Sequence, residues 1–564
     1  MINQARVKRG MYVDSITLMQ LARSLSALEG IEEATALMAT PANLQLLAEA
    51  GLAPFVGITD EPRDSDMLIV VRALDAAHAE TALDTAEMQL SGQTRADVPT
   101  APEAHRTRQP RSLEQAARMH PQANIAVISV PGMYAALEAQ QALRAGLHVF
   151  LFSDNVSLED EIALKRLGSE LGLLVMGPDC GTARLNGVGL GFVNVVPDGP
   201  VGIVGASGTG MQQVMCLLAQ AGHGISQAIG CGGRDLSAEV GGITALQGLH
   251  MLREDAETRV IVLISKPPAP EVAERVLTVA SSSTKPVIVI FLGTDPDIWR
   301  GTYGAHVYFA RTLSEAARLA GSLCETDEAE LSAMTQNANA SPRAPEALPT
   351  SEQFASAQSA DDGPHRHASL AARGQTAVIQ SHSGAYANQP PYLAALFTGG
   401  TLCDEALRIW GEQFGPVYSN IPLNPAWRWR DGLQRQGHYA LDLGADEYTR
   451  GRPHPMIDPE ARLKYLREAA NDPLIGVILL DIVLGYCSHP DPAAIYAPAI
   501  QQGIQQASQA GRALNYVISL CGTADDPQQL SRQQASLHAA GAEVYLSNAE
   551  AALRCMELLS GKQV

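Results

Sequence analysis

The sequence is short of several things, and each shortage removes a class of explanation. No run of about 18 apolar residues occurs in its 564 residues, so no helical membrane span is expected. The N-terminus, MINQARVKRGMYVDS, lacks the apolar core of a signal peptide. Eight cysteines are scattered without a CxxC or CxxxC pair. That argues against a disulfide frame or structural zinc and for a reduced, cytoplasmic protein. No HExxH, paired histidines or clustered carboxylates suggest a metal. Basic residues are outnumbered, giving a formal charge of −20. Nucleic acid and anionic membranes need basic partners, so neither is expected to bind. Aromatics are only 5% of the chain against 46% apolar residues, with abundant Ala and Gly, as in a close-packed α/β protein.

What is present is a repeated alternation of short apolar runs and amphipathic stretches. It predicts a multi-domain α/β protein with parallel, Rossmann-like and flavodoxin-like sheets. Residues 1–95 read as a small α+β domain, with strands at Val7–Tyr12, Thr35–Met38 and Met67–Val71 and helices at Ser15–Leu28, Pro41–Ala50 and Ala76–Leu90. Residues 96–122 read as a polar linker containing Arg106, Arg108 and Arg111. Residues 123–197 and 198–324 are two successive βα arrays. Residues 325–374, rich in Ala, Ser, Pro, Gln and Asn, read as a flexible linker before a third array over 375–564.

The chain is organised around Val201–Met215, VGIVGASGTGMQQVM. A strand ends in a glycine turn (Gly205, Ser207, Gly208, Thr209, Gly210) and a helix begins. Bare amides and a helix dipole meet there, which suits an anion. The phosphate-loop lysine of GxxxxGK[ST] is missing, so a plain tight turn is the competing reading. A second strand–glycine–helix unit follows at Thr398-Gly399-Gly400-Thr401. If the second and third arrays pack face to face, both helices point at one anion. Cationic candidates on neighbouring strand ends are Lys266, Arg234 (beside Gly233), Arg450 and Arg452, with His454 in the same loop as the last two. Arginine forks suit phosphates and planar carboxylates. Arg234-Asp235 also reads as a local ion pair. Ser381-His382 has no third partner, and His489 reads as structural.

Several stretches carry a resemblance: NIAVISVPGMYAA, FSDNVSLEDEI, LVMGPDCGTA, GIVGASGTGMQ, GCGGRDLSAEVGG, SKPPAPE, FTGGTLCDEA, GRPHPMIDP and LLDIVLGYCSHPDP. Together they resemble the FdrA family, relatives of the succinyl-CoA synthetases. The resemblance implies a CoA-binding-type Rossmann domain at 123–197, an α-subunit-like ligase domain at 198–324 and a β-subunit-like ligase domain at 375–564. It also implies that Ser207-Gly208-Thr209 and Gly399-Gly400-Thr401 match the two helix ends that hold phosphate in those synthetases. Three features depart from the synthetases. Their phosphoryl-carrying GHAGA histidine is reduced here to Gly304-Ala305-His306-Val307, and Lys266 stands where they carry a glutamate. The nucleotide-binding ATP-grasp domain is absent from this sequence. The resemblance therefore implies a subunit of a carbamoyltransferase. It would interconvert an N-carbamoyl compound of the oxamate type plus phosphate with carbamoyl phosphate, at the end of allantoin breakdown. Lys266 and Arg234 would be catalytic, and partner subunits or further copies would complete the assembly. An ADP-forming acyl-CoA synthetase subunit and a non-catalytic regulatory subunit are the alternatives. Phosphate or carbamoyl phosphate is the expected ligand, with CoA or nucleotide binding left open.

Overall fold

Apolar strands of five or six residues between amphipathic helices fold into stacked layers, because a fully apolar strand must be covered on both faces. The computed structural model of the chain describes residues 2–93, 110–326, 391–449 and 453–560, apart from single positions or short runs within 12–14, 41–65, 111, 412 and 431–436. The described chain forms two compact units, Met1–Asp160 with Thr449–Pro453, and Glu161–Tyr448 with His454–Val564.

The smaller unit starts with β1 (Ile2–Lys8), α1 (Ser15–Ser26), β2 (Ile31–Met38), β3 (Met67–Ala73) and α2 (Ala76–Gln93). The sheet order is β1-β3-β2, antiparallel throughout, with Ile2 opposite Ala73. Leu18, Leu21 and Leu25 of α1 and Ala79, Ala82 and Leu83 of α2 pack on Met67, Ile69 and Val71. The first strand lies earlier than the Val7–Tyr12 expected from the sequence. Gly10, at φ +58°, breaks the extended run that would have carried it on. The expected helix at Pro41–Ala50 lies partly outside the described residues.

The interval expected to be a linker contains α3 (Leu113–Met119), capped by Ser112 Oγ accepting from the Gln115 amide at 3.2 Å. β4 (Ile125–Ile128), α4 (Gly132–Arg144) and β5 (His148–Leu151) follow as a parallel βαβ step.

The larger unit holds two sheets. α5 (Leu158–Leu171) leads through β6 (Val175–Met176) into the first, with β7 (Thr182–Leu185), β8 (Val188–Gly191), β9 (Asp198–Gly205), β10 (Ile225–Gly230), β11 (Val260–Ser265), β12 (Val287–Phe291) and β13 (Val307–Phe309). Its order is β13-β12-β11-β9-β10-β7-β8. The five strands from β9 on are parallel, while the β7–β8 hairpin joins antiparallel through Ala228 opposite Arg184. That hairpin precedes the boundary read at 197, yet it completes the sheet of the following array. α6 (Gly208–Gln220), α7 (Ile243–Glu254), α8 (Pro270–Ser281) and α9 (Leu313–Glu325) cover the faces.

The second sheet, order β15-β16-β14-β17-β18-β19, is wholly parallel. It is built from β14 (Tyr392–Phe397), β15 (Val417–Ser419), β16 (His438–Asp442), β17 (Ile475–Val483), β18 (Asn515–Cys521) and β19 (Glu543–Tyr545). Its helices are α10 (Gly400–Gly411), α11 (Glu460–Asn471), α12 (Pro492–Gln509), α13 (Leu530–Ala539) and α14 (Asn548–Ser560).

Buried and half-buried hydrogen bonds sew the two arrays together. Gln213 Nε2 donates to the Leu546 carbonyl and Gln220 Nε2 to that of Gly522, each at 2.8 Å. Asn194 Nδ2 donates to Asp526 Oδ2 at 2.8 Å. Glu405 Oε1 accepts from the Leu313 amide at 2.8 Å. Satisfying these polar groups fixes one docking geometry, since each would be costly if left unpaired in the seam.

Candidate functional site

Parallel sheets place ligands beyond the carboxyl ends of their strands. β9 ends at Gly205, and the chain turns through Ser207 into α6. Ser207 is the N-cap, its Oγ accepting from the Gly210 amide at 3.1 Å. β14 ends at Phe397, and α10 begins at Gly400. The Thr398 amide and hydroxyl both donate to buried Asp481, which also takes a guanidinium bond from Arg462 at 3.0 Å. Burial raises the Asp481 pKa against the pull of Arg462 and the Thr398 bonds.

The two helix starts meet. Ser207 Oγ donates to Thr401 Oγ1 at 2.7 Å, across the seam between the arrays. A Cβ on Gly399 would stand 2.8 Å from Thr209 Cγ2, so only glycine allows this approach. Among the described residues, the amides of Gly208, Thr209, Gly400 and Thr401 meet no acceptor. Two helix ends of 13 and 12 residues thus present bare donors and their dipoles to one place. The face-to-face packing expected from the two glycine turns is present.

Side chains from the other strand ends complete the site. Lys266, exposed at the end of β11, and Asp442, buried at the end of β16, reach it from opposite arrays. Lys266 Nζ and Asp442 Oδ2 each lie 2.9 Å from where a Cβ on Gly400 would stand, yet they close no ion pair with each other. Burial pushes the Asp442 carboxyl up to about 6, with the Lys266 ammonium pulling the other way. Asn420 grips the Asp442 main chain at both its amide and its carbonyl, each at 2.9 Å, and the Gly444 amide donates to Oδ1 at 3.0 Å.

His454 lies against Phe192, ring centroids 5.5 Å apart, and its Nε2 faces Gly444. Burial lowers its pKa to about 4, so the ring is neutral. Its Nδ1 accepts from the Met456 amide at 3.3 Å, which leaves the proton on Nε2. His454 therefore carries its proton on Nε2, beside Gly444.

Other candidates fall elsewhere. Arg234 does not pair with its neighbour Asp235. Its Nε donates to Glu161 at 2.8 Å, while Asp235 and Glu161 both hold buried Lys165, at 2.6 and 2.9 Å. Gly233 is exposed in the same turn. His306 precedes β13, and its carbonyl accepts from the Val287 amide at the start of β12. That is the amino edge of the sheet, opposite to the helix clamp. His489 is buried, its Nδ1 accepting from the Asp491 amide at 3.0 Å. Arg450, Arg452, Ser381 and His382 lie outside the described residues. Sequence reading missed Asp442 and Asn420. The signal for Asp442 was there, an acid closing the apolar run YALDLG, the same signal that marked Lys266. Among the described residues no group of acids, histidines and cysteines forms a metal site, and no helix is long and apolar enough to cross a membrane.

Comparison with known proteins agrees with this architecture. A CoA-ligase family model matches residues 396–557 and a CoA-binding domain model matches 197–293. A model described as the AllF heavy metal-associated domain matches residues 1–106. Those residues contain no cysteine, so they offer no thiolate to a soft metal. YahF of Escherichia coli (strain K12) is 38% identical over 98% of both chains. Succinate–CoA ligase [ADP-forming] subunit alpha 1 of Archaeoglobus fulgidus is 29% identical over 30% of this chain and 58% of its own length. An acetyl-coenzyme A synthetase structure from Ca. Korarchaeum cryptofilum aligns over 82% of this chain and 87% of its own, at 15% identity and a TM-score of 0.33.

Proposed function

Because the chain belongs to the family of YahF and carries CoA-binding and CoA-ligase regions of the succinyl-CoA synthetase type, we propose that its larger unit transfers an acyl group between phosphate and an acceptor, the group being carbamoyl and the acceptor an amide nitrogen of an oxamate-like compound. The observation that carries this reading is the joined pair of helix ends, Ser207 on Thr401, with Lys266 and Asp442 beside Gly400. Amides of Gly208, Thr209, Gly400 and Thr401 receive the phosphate oxygens, and Lys266 neutralises the remaining charge. Nε2 of His454 donates at the rim. The phosphate is thereby held against the carbamoyl carbon, and the charge that develops is met by donors already in place. No phosphoenzyme is invoked, since His306 sits at the far edge and the protonated Nε2 of His454 is no nucleophile.

The CoA-ligase match favours a second reading, an acid–thiol ligase working with a separate nucleotide-binding subunit and CoA as acceptor. One experiment separates the two. Protein co-purified with any partner subunits is given phosphate and N-carbamoyl compounds, and in parallel ATP, CoA and organic acids. Carbamoyl phosphate release supports transfer. CoA-dependent ATP hydrolysis with acid-labile phosphate on histidine supports the ligase and overturns the transfer reading.

A further inference from the structure

Asp442 presents an oxygen to the point between the clamp and Lys266. Its Oδ1 is taken by the Gly444 amide, its main chain is held by Asn420, and among the described residues Oδ2 meets no donor. The residue is 6% exposed, and Oδ2 lies beside Gly400 and the Lys266 ammonium.

We propose that Asp442 is the proton carrier of the transfer, an inference that rests on the acyl-transfer reading above. In the direction of carbamoyl phosphate formation, a phosphate oxygen bonds to the carbamoyl carbon and the carbon–nitrogen bond breaks. Oδ2, protonated in the phosphate complex, gives its proton to the leaving nitrogen, which departs as a neutral amide, and takes the proton of hydrogen phosphate in return. The carboxyl is regenerated, and no other reactant is needed. A carrier must exchange its proton near neutral pH, and burial places this carboxyl at about 6. The charged groups around it are Lys266 from β11, Asp481 from β17 and Glu447 after β16, with the Cys403 thiol from α10 and neutral His454 nearby. Lys266 opposes the rise, while Asp481 and Glu447 add to it. A dianion bound in the clamp repels the carboxylate, so phosphate binding draws a proton onto it.

The test uses the full chain with its co-purified partners. Inorganic phosphate is titrated calorimetrically in buffers of different ionisation enthalpy, and carbamoyl phosphate release is followed against pH, for wild type, Asp442→Asn and Asp442→Glu. Near pH 6, where binding the dianion itself releases a proton from dihydrogen phosphate, wild type is expected to take up more protons on binding phosphate than Asp442→Asn does. Asp442→Asn should lose that excess, keep or tighten phosphate affinity, and lose roughly 10²-fold or more in rate. Asp442→Glu should restore part of the rate. A wild type that turns over, with Asp442→Asn matching its rate and pH profile, overturns the proton carrier and leaves the transfer reading standing. A wild type that binds phosphate with that excess uptake but never releases carbamoyl phosphate overturns the transfer reading and leaves the proton site. Should Asp442→Asn fail to fold, the wild-type uptake and the Asp442→Glu rate decide. Proton release near pH 6 that equals the ionisation of phosphate alone sinks the assignment.

Discussion

Lys266 and Gly400 test the site one atom at a time. The Lys266 ammonium stands beside Gly400 on an exposed side chain. Lys266→Ala should weaken phosphate binding about tenfold to a hundredfold, the range for a hydrogen bond to a charged group, while the melting temperature stays put. Gly400→Ala puts a methyl 2.9 Å from both Lys266 Nζ and Asp442 Oδ2, where the anion belongs. Titration calorimetry should find binding abolished in a folded protein. A pH series adds an independent check. His454 has a folded pKa near 4, below its unfolded 6.5, so its contribution is present above pH 6.5 and lost as pH falls toward 4. Asp442 runs the other way. With a folded value near 6 and an unfolded one of 3.8, it favours the folded state at low pH and loses that contribution as pH rises through 6. Each amounts to roughly 3 kcal/mol, and over this window they offset each other. Urea unfolding from pH 4 to 7 should therefore show His454→Gln gaining relative stability as pH falls, and Asp442→Asn losing it. Parallel curves for the two variants would refute the pairing. The glycine turns and Lys266 were legible in the sequence because glycine after an apolar strand, or a cation closing one, breaks a pattern. Asp442 obeyed the same rule, but its meaning depends on Lys266 and Gly400 arriving from elements far away in the chain.

At the scale of elements, the helices were readable from their periodicity and the sheet edges were not. The hairpin of β7 and β8 is short, and it pairs through a single antiparallel step to a strand some forty residues on, which no local pattern announces. The same limit hid the role of α5. Its Lys165 is fully buried, and burial would lower its pKa, but Asp235 and Glu161 outweigh that and raise it. Sequence alone suggested Arg234 with Asp235 as the pair. Lys165 also donates to the Cys231 carbonyl at 2.9 Å, so it ties the helix to the turn that follows β10. Lys165→Met leaves buried Asp235 without a cation and Glu161 with Arg234 alone, and should cost about 3–5 kcal/mol in chemical denaturation. Adding Glu161→Gln and Asp235→Asn should return most of that loss. If it does not, the network is not what holds the turn.

At the scale of the whole molecule, the helix clamp belongs to neither array alone. Ser207 and Thr209 come from one, Gly399 and Thr401 from the other, and the chain between residues 326 and 391 joins them. Residues 1–326 and 391–564, expressed as two chains, should still find each other through the hydrogen bonds of Asn194, Gln213, Gln220 and Glu405. Phosphate binding by the pair should fade on dilution, whereas the intact chain should bind alike at every protein concentration, with the tether supplying an effective concentration on the order of millimolar. Dilution-independent binding by the separated chains would show that one array suffices. The hydrogen bond between two hydroxyls, Ser207 and Thr401, thus sets a kinetic order: one polypeptide makes closure of the grip first-order, and the translational entropy of bringing its halves together is lost once, at folding, instead of at every encounter.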